Sequence, residues 1–384
     1  MKKIHINIIN FFFTLYLCVM SYYLYTHQYY NVDMEAYMGL AYKAEYPDMK
    51  IEEIHKKVYD ELREKRPELF HFDLSHKEVA KGENTYYKVL SENPEAYEEE
   101  LQLFSVKPFY NFINFLFFKT GLEASISTFL ISIISYVLIL ILIFQYLIKI
   151  LENHYFAVIL TLLLSLFKPL LEASRHASPD SLSCFLLLAS LYVYSVKKNF
   201  FGATFFAMLC ILTRPDYFVF YTLLYVFLYF YKKNNVKKME FFMSYAYLFL
   251  SFYLIQYFNK ISWSTLFMNQ FTKVQIYPIS NPDVLQFSDY LNFIKSKFLI
   301  EFNSSYFPLI LIFIVIILGY KFSVKNKLDF KVCLFFGFIY STVFIRFLIF
   351  PILVNRMMIG FYLIIILSLI YILNSKKDLF KKTS

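Results

Sequence analysis

Long apolar runs alternate with short polar breaks along most of the chain. The runs fall near residues 4–25, 122–148, 155–171, 181–196, 200–213, 217–231, 240–258, 306–320, 332–350 and 357–373. At 1.5 Å per residue, roughly 20 apolar residues cross a hydrocarbon core of about 30 Å. The pattern therefore predicts an all-α polytopic membrane protein, a single membrane domain over residues 1–384, with about ten transmembrane helices in a range of roughly eight to twelve. The shorter runs are expected to be tilted neighbours or partly re-entrant. The first run follows Met1-Lys2-Lys3 and continues into Tyr22, Tyr23 and Tyr25. A cleaved signal peptide has a shorter apolar core and a small-residue cleavage site, so this run reads as an uncleaved span with interfacial tyrosines.

Residues 26–107 break the pattern. Pro47 and Asp48 precede Ile51, Ile54, Val58 and Leu62, whose spacing puts one apolar stripe on a charged helix. Ser75 with Glu78 has the spacing of a capping box, and Gly82 is expected to end that short helix. Asn93-Pro94-Glu95 supplies an N-cap, a first-position proline and a first-turn acid, ahead of Tyr97, Leu101 and Phe104 on one face. Helices of this kind, attached to a span, lie on the bilayer surface or on the other spans. Residues 105–121, interrupted by Asn111 and Asn114, read as an interfacial helix leading into the next span. Residues 259–305, which hold the single tryptophan, Trp263, read as a second outer loop.

Composition agrees with the class: 58% of the residues are hydrophobic and 17% charged, with 47 Phe and 35 Tyr. A soluble domain of this length needs more polar surface. Lys2, Lys3, Lys149, Lys197, Lys198, Lys232, Lys233, Lys237, Lys238, Lys321, Lys325, Lys327, Lys331, Lys376, Lys377, Lys381 and Lys382 all fall in alternate connections. The excess of lysine in these connections makes them cytoplasmic, with both termini, in a bacterial-type plasma (inner) membrane. Residues 26–107 hold 18 of the 29 acids and carry −7, while the rest of the chain carries +16. The net +9 is thus a topology signal and not a footprint of nucleic acid. Cys18, Cys184, Cys210 and Cys333 stand apart in apolar stretches without metal-ligand spacing and read as packing residues.

The same topology puts Asp33, Lys107, Lys168, Arg175, His176, Asp180, Arg214, Asp216, Arg346 and Arg356 on or near the outer face. A charge at the bilayer centre costs roughly 2.5–3.5 kcal/mol on insertion scales, so charges near spans call for a reason. Snorkelling explains a few of them. It explains poorly the segments SRHASPDSLS (174–183) and TRPDYF (213–218), which place Arg, Pro and Asp between two spans with little loop. Arg–Asp pairs that satisfy each other at helix ends are the plain alternative, and Pro179-Asp180-Ser181 also reads as a helix start. Arg346 lies inside an apolar boundary and Arg356 follows the break from Pro351 to Asn355. Two guanidiniums at the outer end of a span pair suit a phosphate at the membrane surface.

Taken in order, these segments resemble the GT-C superfamily of integral-membrane glycosyltransferases, near the protein mannosyltransferase and aminoarabinose transferase group. The resemblance rests on Asp33, Glu35 and Tyr37 (one residue short of a D-x-E-x-x-Y spacing) directly after a first span. It also rests on the large outer segment, Lys107-Pro108-Phe109-Tyr110 and Gly121 before the next span, the two Arg–Pro–Asp segments, and the late arginines. It implies transfer of a sugar from a polyprenyl-phosphate donor to an acceptor hydroxyl on the extracytoplasmic face, as in envelope glycan biosynthesis. The acceptor is a glycan, lipid or protein. By this resemblance Asp33, or Glu35, is the general base, and Arg175, His176, Arg214, Arg346 and Arg356 hold the donor phosphate. Tyr37, Lys107, Tyr110, Asp180 and Asp216 are further site candidates. An acceptor hydroxyl must lose a proton as it attacks, and the leaving lipid phosphate gains charge, so a carboxylate and fixed cations suit the two ends. The lipid tail is expected in an apolar groove between spans. The acids would accommodate a divalent cation, although no ligand spacing argues for one. The competing readings are a transporter or flippase, which would carry charges near mid-bilayer and repeated broken spans, and a non-catalytic partner in glycan assembly.

Overall fold

A computed structural model describes residues 2–30, 33–67, 81–231, 238–259, 261–272, 274–325 and 330–374, and among these the chain is helical and without strands. The proposed capping box at Ser75 and Glu78 lies outside the described residues. Gly82 does not end a helix; it lies in the first turn of one.

The N-terminal helix α1 (Lys2–Thr26) leads to α2 (Asp33–Glu45), α3 (Ile51–Lys65), α4 (Lys81–Glu92), α5 (Pro94–Phe104) and α6 (Pro108–Lys119). The striped spacing in α3 is realised: Ile54, Val58 and Leu62 are buried against the neighbouring helices. Each such side chain contributes roughly 1.5–3 kcal/mol when fully removed from water. Asn93 caps α5, accepting from the backbone N–H groups of Glu95 and Ala96, with Pro94 in the first turn where no N–H is needed. Helix α5 then crosses α2 at Gly39, where a Cβ would run into the Tyr97 ring and Leu101. Only glycine permits that approach. Helix α2 thus sits in a cradle of α3, α5 and α6, and rests on the long helix α7 (Ala124–Leu151).

Helix α7 is the central strut and is far more deeply buried than α1. Around it lie α8 (His154–Ser165), α9 (Lys168–Arg175), α10 (Asp180–Ser195), α11 (Phe200–Thr213), α12 (Tyr217–Tyr231) and α13 (Lys238–Phe258). The expected outer loop 259–305 is more ordered than its Pro and Asn content implies. It contains α14 (Trp263–Phe267), a π-helical turn (Met268–Thr272) and an 18-residue helix, α15 (Phe287–Ser304). The last described helices are α16 (Phe307–Lys325), α17 (Phe330–Ile349) and α18 (Ile359–Asn374).

All ten apolar runs are helical, yet they are unequal. Among the described residues, three helical stretches, Ile6–Thr26, Ala124–Leu151 and Val332–Ile349, are long and apolar enough to cross a membrane. Helices α8 and α9 meet at 61° and α15 and α16 at 60°, which gives up to five spans if each bent pair counts as one. The apolar helices at 180–195, 200–213, 217–230 and 359–374 are shorter, so by length and composition alone there are three to five candidate spans among the described residues. The shortness has a local cause. The breaks at His176–Pro179, Arg214–Asp216 and Pro351–Met358 each contain a proline, and they end the helices before they reach full span length.

Candidate functional site

Those three breaks and the start of α2 meet at one end of the bundle. Asp33 is the first residue of α2 and Asp180 the first of α10, where the backbone N–H groups favour a carboxylate. Arg214 follows α11, Asp216 precedes α12, Arg346 lies in the last turn of α17, and Arg356 precedes α18.

The six side chains form a ladder of alternating charge. Arg356 places Nη2 3.8 Å from Asp33 and Nε 3.6 Å from Asp180. Asp180 accepts from Arg214 Nη1 at 2.6 Å, and Ser178 Oγ donates to its other oxygen at 3.1 Å. Arg214 donates to Asp216 through Nε at 3.2 Å and Nη2 at 3.0 Å. Asp216 in turn accepts from Arg346 Nε at 2.7 Å, and Arg346 Nη1 donates to the Ile352 carbonyl at 2.8 Å. The sequence alternative, in which Arg214 and Asp216 satisfy each other, is therefore realised only in part, because each is also bonded outside its own break.

The Asp33–Arg356 end of the ladder is the exposed one. The Asp33 side chain is 30% exposed and Arg356 18%, whereas Arg214 is 6% and Arg346 2% exposed. Burying ions this deeply is tolerable only with partners, and the inner pairs supply them. Two guanidinium nitrogens stand out: Arg346 Nη2 and Arg356 Nη1 are buried without a hydrogen-bond partner among the described residues.

Lys107 enters from the turn before α6. Its Nζ donates to the Tyr37 hydroxyl at 2.7 Å and lies 4.7 Å from the centre of the Phe104 ring. No carboxylate lies within 4.0 Å of it among the described residues. Burial lowers its pKa to about 8, although Asp33 works in the opposite direction. Tyr37 lies one turn after Asp33 on the same face of α2. Its ring meets that of Tyr110 edge-on at 4.6 Å, and the Tyr110 hydroxyl donates to the Thr128 carbonyl at 3.3 Å.

The other candidates have different surroundings. Glu35 is not part of the ladder. Two positions after Asp33 it is rotated by roughly 200° around the helix, and it is buried in a separate group with Tyr59 and Glu100. Burial pushes its carboxyl up to about 8, with the Tyr59 hydroxyl opposing and Asp33 adding to the shift. Glu100 is raised as well, by burial first and then by Glu35. Arg175 is spent on the N-terminal segment. Its Nε donates to the His27 carbonyl, and its guanidinium lies 4.0 Å from the centre of the Tyr29 ring. The imidazole of His176 packs on Tyr29 and its Nδ1 contacts the Glu172 carbonyl at 2.7 Å. Arg214 and Arg346 are interior members of the ladder, which leaves Arg356 as its accessible cation. Lys168 pairs with Glu172 at 3.6 Å, away from the ladder.

Sequence reading missed the residues that hold Arg356 in place. Asn355 accepts from the Tyr306 N–H at 3.0 Å and from the Tyr362 hydroxyl at 2.8 Å, while Glu301 of α15 accepts from the Leu353 N–H at 2.8 Å. Together they fix the 350–358 break to the junction of α15 and α16. A lone Asn in a break and a Glu in a polar helix carry no signal in one sequence. Among the described residues, no group of three or more His, Cys, Asp or Glu side chains could hold a metal ion. The cysteines are free, with Cys184 and Cys210 buried in the core.

No protein-family model matches the chain, and neither the curated proteins nor the solved structures contain a match.

Proposed function

We propose that the chain is an integral-membrane glycosyltransferase of GT-C type. It would take a sugar from a polyprenyl-phosphate donor and pass it to an acceptor hydroxyl on the extracytoplasmic side of a bacterial-type plasma membrane. In this reading the ten apolar helices all serve as spans, the four short ones by virtue of the polar end at which they stop. The observation that carries the proposal is the pair at the mouth of the ladder. Asp33 is a part-exposed carboxylate 3.8 Å from Arg356, whose buried Nη1 has no acceptor among the described residues. A buried unpaired guanidinium nitrogen calls for an anion or water.

The chemistry follows from that arrangement. The acceptor oxygen attacks the anomeric carbon and its proton passes to the Asp33 carboxylate, as the bond from that carbon to the phosphate oxygen breaks. The lipid phosphate leaves with its electron pair, and Arg356 with Lys107 meets the developing charge. Asp180, Arg214, Asp216 and Arg346 act behind them by holding Arg356 in register. Attack from the face opposite the leaving group makes the transfer inverting. The ladder gathers its ionisable groups at one end of the bundle, which favours surface chemistry over passage through the membrane. Purified protein incubated with a labelled polyprenyl-phosphate sugar and candidate acceptors tests the proposal directly. Transfer by the wild type and none by Asp33→Asn supports it. Transfer retained by Asp33→Asn removes the proposed base, and no transfer with any acceptor favours a non-catalytic partner.

A further inference from the structure

Away from the ladder, a cavity of about 490 Å³ opens between helices that diverge. Helix α17 packs on α12, whereas α18 packs on α10 and α7. The space between them is walled by apolar side chains such as Leu188, Leu191, Leu224, Phe335, Ile339 and Leu367. It lies within the range of roughly 300–1,000 Å³ typical of small-molecule sites. It does not reach the ladder. Gly360 presses so close that a Cβ would stand 2.7 Å from Leu187 and 2.9 Å from the Tyr217 hydroxyl, and Tyr217 stacks on Phe361 at 5.7 Å. That packed layer separates the two.

The far end of the cavity is different in kind. Lys149, from the last turn of α7, and Lys198, just after α10, line it together with Ser195, Tyr146 and Tyr194. Neither lysine has an ion pair among the described residues. Lys198 also has φ 55°, a left-handed backbone that glycine or asparagine adopts more cheaply. These lysines belong to the connections that charge counting assigns to the cytoplasm. An apolar slot between diverging helices, rimmed by two unpaired ammonium groups at headgroup depth, matches an acyl chain attached to an anionic head.

We propose that this cavity binds an anionic phospholipid of the cytoplasmic leaflet, with one acyl chain between α17 and α18 and the phosphate on Lys149 and Lys198. The site is separate from the ladder and does not depend on the glycosyltransferase reading. The test is native mass spectrometry of the full-length detergent-purified protein, titrated with phosphatidylglycerol or phosphatidylcholine. The wild type should retain phosphatidylglycerol preferentially. Lys149→Gln and Lys198→Gln should each weaken that retention about fivefold, the effect of one basic residue near an anionic lipid surface. Ser368→Trp, which fills the slot from α18, should abolish retention while the chain stays monodisperse. If that variant does not fold, the lysine variants alone decide. Equal retention of the two lipids overturns the proposal, as does wild-type retention by both lysine variants. A preference for a single-chain isoprenoid phosphate over phosphatidylglycerol overturns the assignment to a phospholipid.

Discussion

Asp33 and Glu35 stand two positions apart on one helix and end in opposite environments. Asp33 is part-exposed beside Arg356, while Glu35 is buried beneath Tyr59 with an oxygen that has no hydrogen-bond partner among the described residues. Their chemistry should separate accordingly. Asp33→Asn is expected to lower the rate of sugar transfer by about 10²–10⁴-fold, the usual contribution of a positioned base. Glu35→Gln should retain transfer. Initial rates on protein of matched expression and membrane insertion check both.

Glu35 should instead govern stability. Between about pH 4.5 and about 8 the folded chain holds a proton that the unfolded chain has released. Stability therefore falls as pH rises through that window. Thermal unfolding in detergent should show this decline in the wild type. In Glu35→Gln it should be shallower, with a gain on the order of a few kcal/mol at pH 8. A decline of unchanged slope would place the titrating group elsewhere, Glu100 being next in line.

Lys107 sets a second pH dependence. Its pKa of about 8 leaves a cation beside Tyr37 below that pH and removes it above. Apparent donor KM should therefore rise as pH goes from 7 to 9. Lys107→Met should show the raised KM throughout, with little pH dependence, and Lys107→Arg should keep the low KM to pH 9. On stability the sign is reversed: between about 8 and 10.5 the unfolded chain holds the extra proton, so the wild type gains stability as pH rises.

The inner and outer arginines should fail in different ways. Arg356→Ala, at the accessible end, is expected to raise donor KM while the chain still folds. Arg346→Ala leaves the buried Asp216 short of a partner and should cost about 3–5 kcal/mol of stability. Replacing both members, as in Asp216→Leu with Arg346→Met, should recover much of that stability without recovering transfer. Unfolding midpoints alongside kinetics distinguish the two.

Local physics was legible without coordinates. The apolar runs mark the helices, Asn93-Pro94 marks the start of α5, the stripe in α3 faces inward, and the three proline-containing breaks fall where the charged residues cluster. Each of these depends on neighbours a few residues away. Helix α15 in the second outer segment was not legible in this way, because a helix with no buried residue lacks the periodic stripe that identifies one. The unequal helix lengths have the same origin: an apolar run states its composition, but where a proline and a charge stop it decides its length.

The site required the tertiary structure. Arg214 meets Asp180 across 34 residues and Arg346 meets Asp216 across 130. Such pairings depend on how helices are rotated and stacked, which no local pattern encodes. Rotation put Asp33 beside Arg356 and Glu35 in the interior, turned Arg175 toward Tyr29, and sank Arg346 into the interior. By itself the sequence determined that this is a chain of apolar helices with its charges gathered at their breaks, because hydrophobicity and capping act locally. Only the folded arrangement decided which charges meet, because a buried ion must find its partner in space and not along the chain.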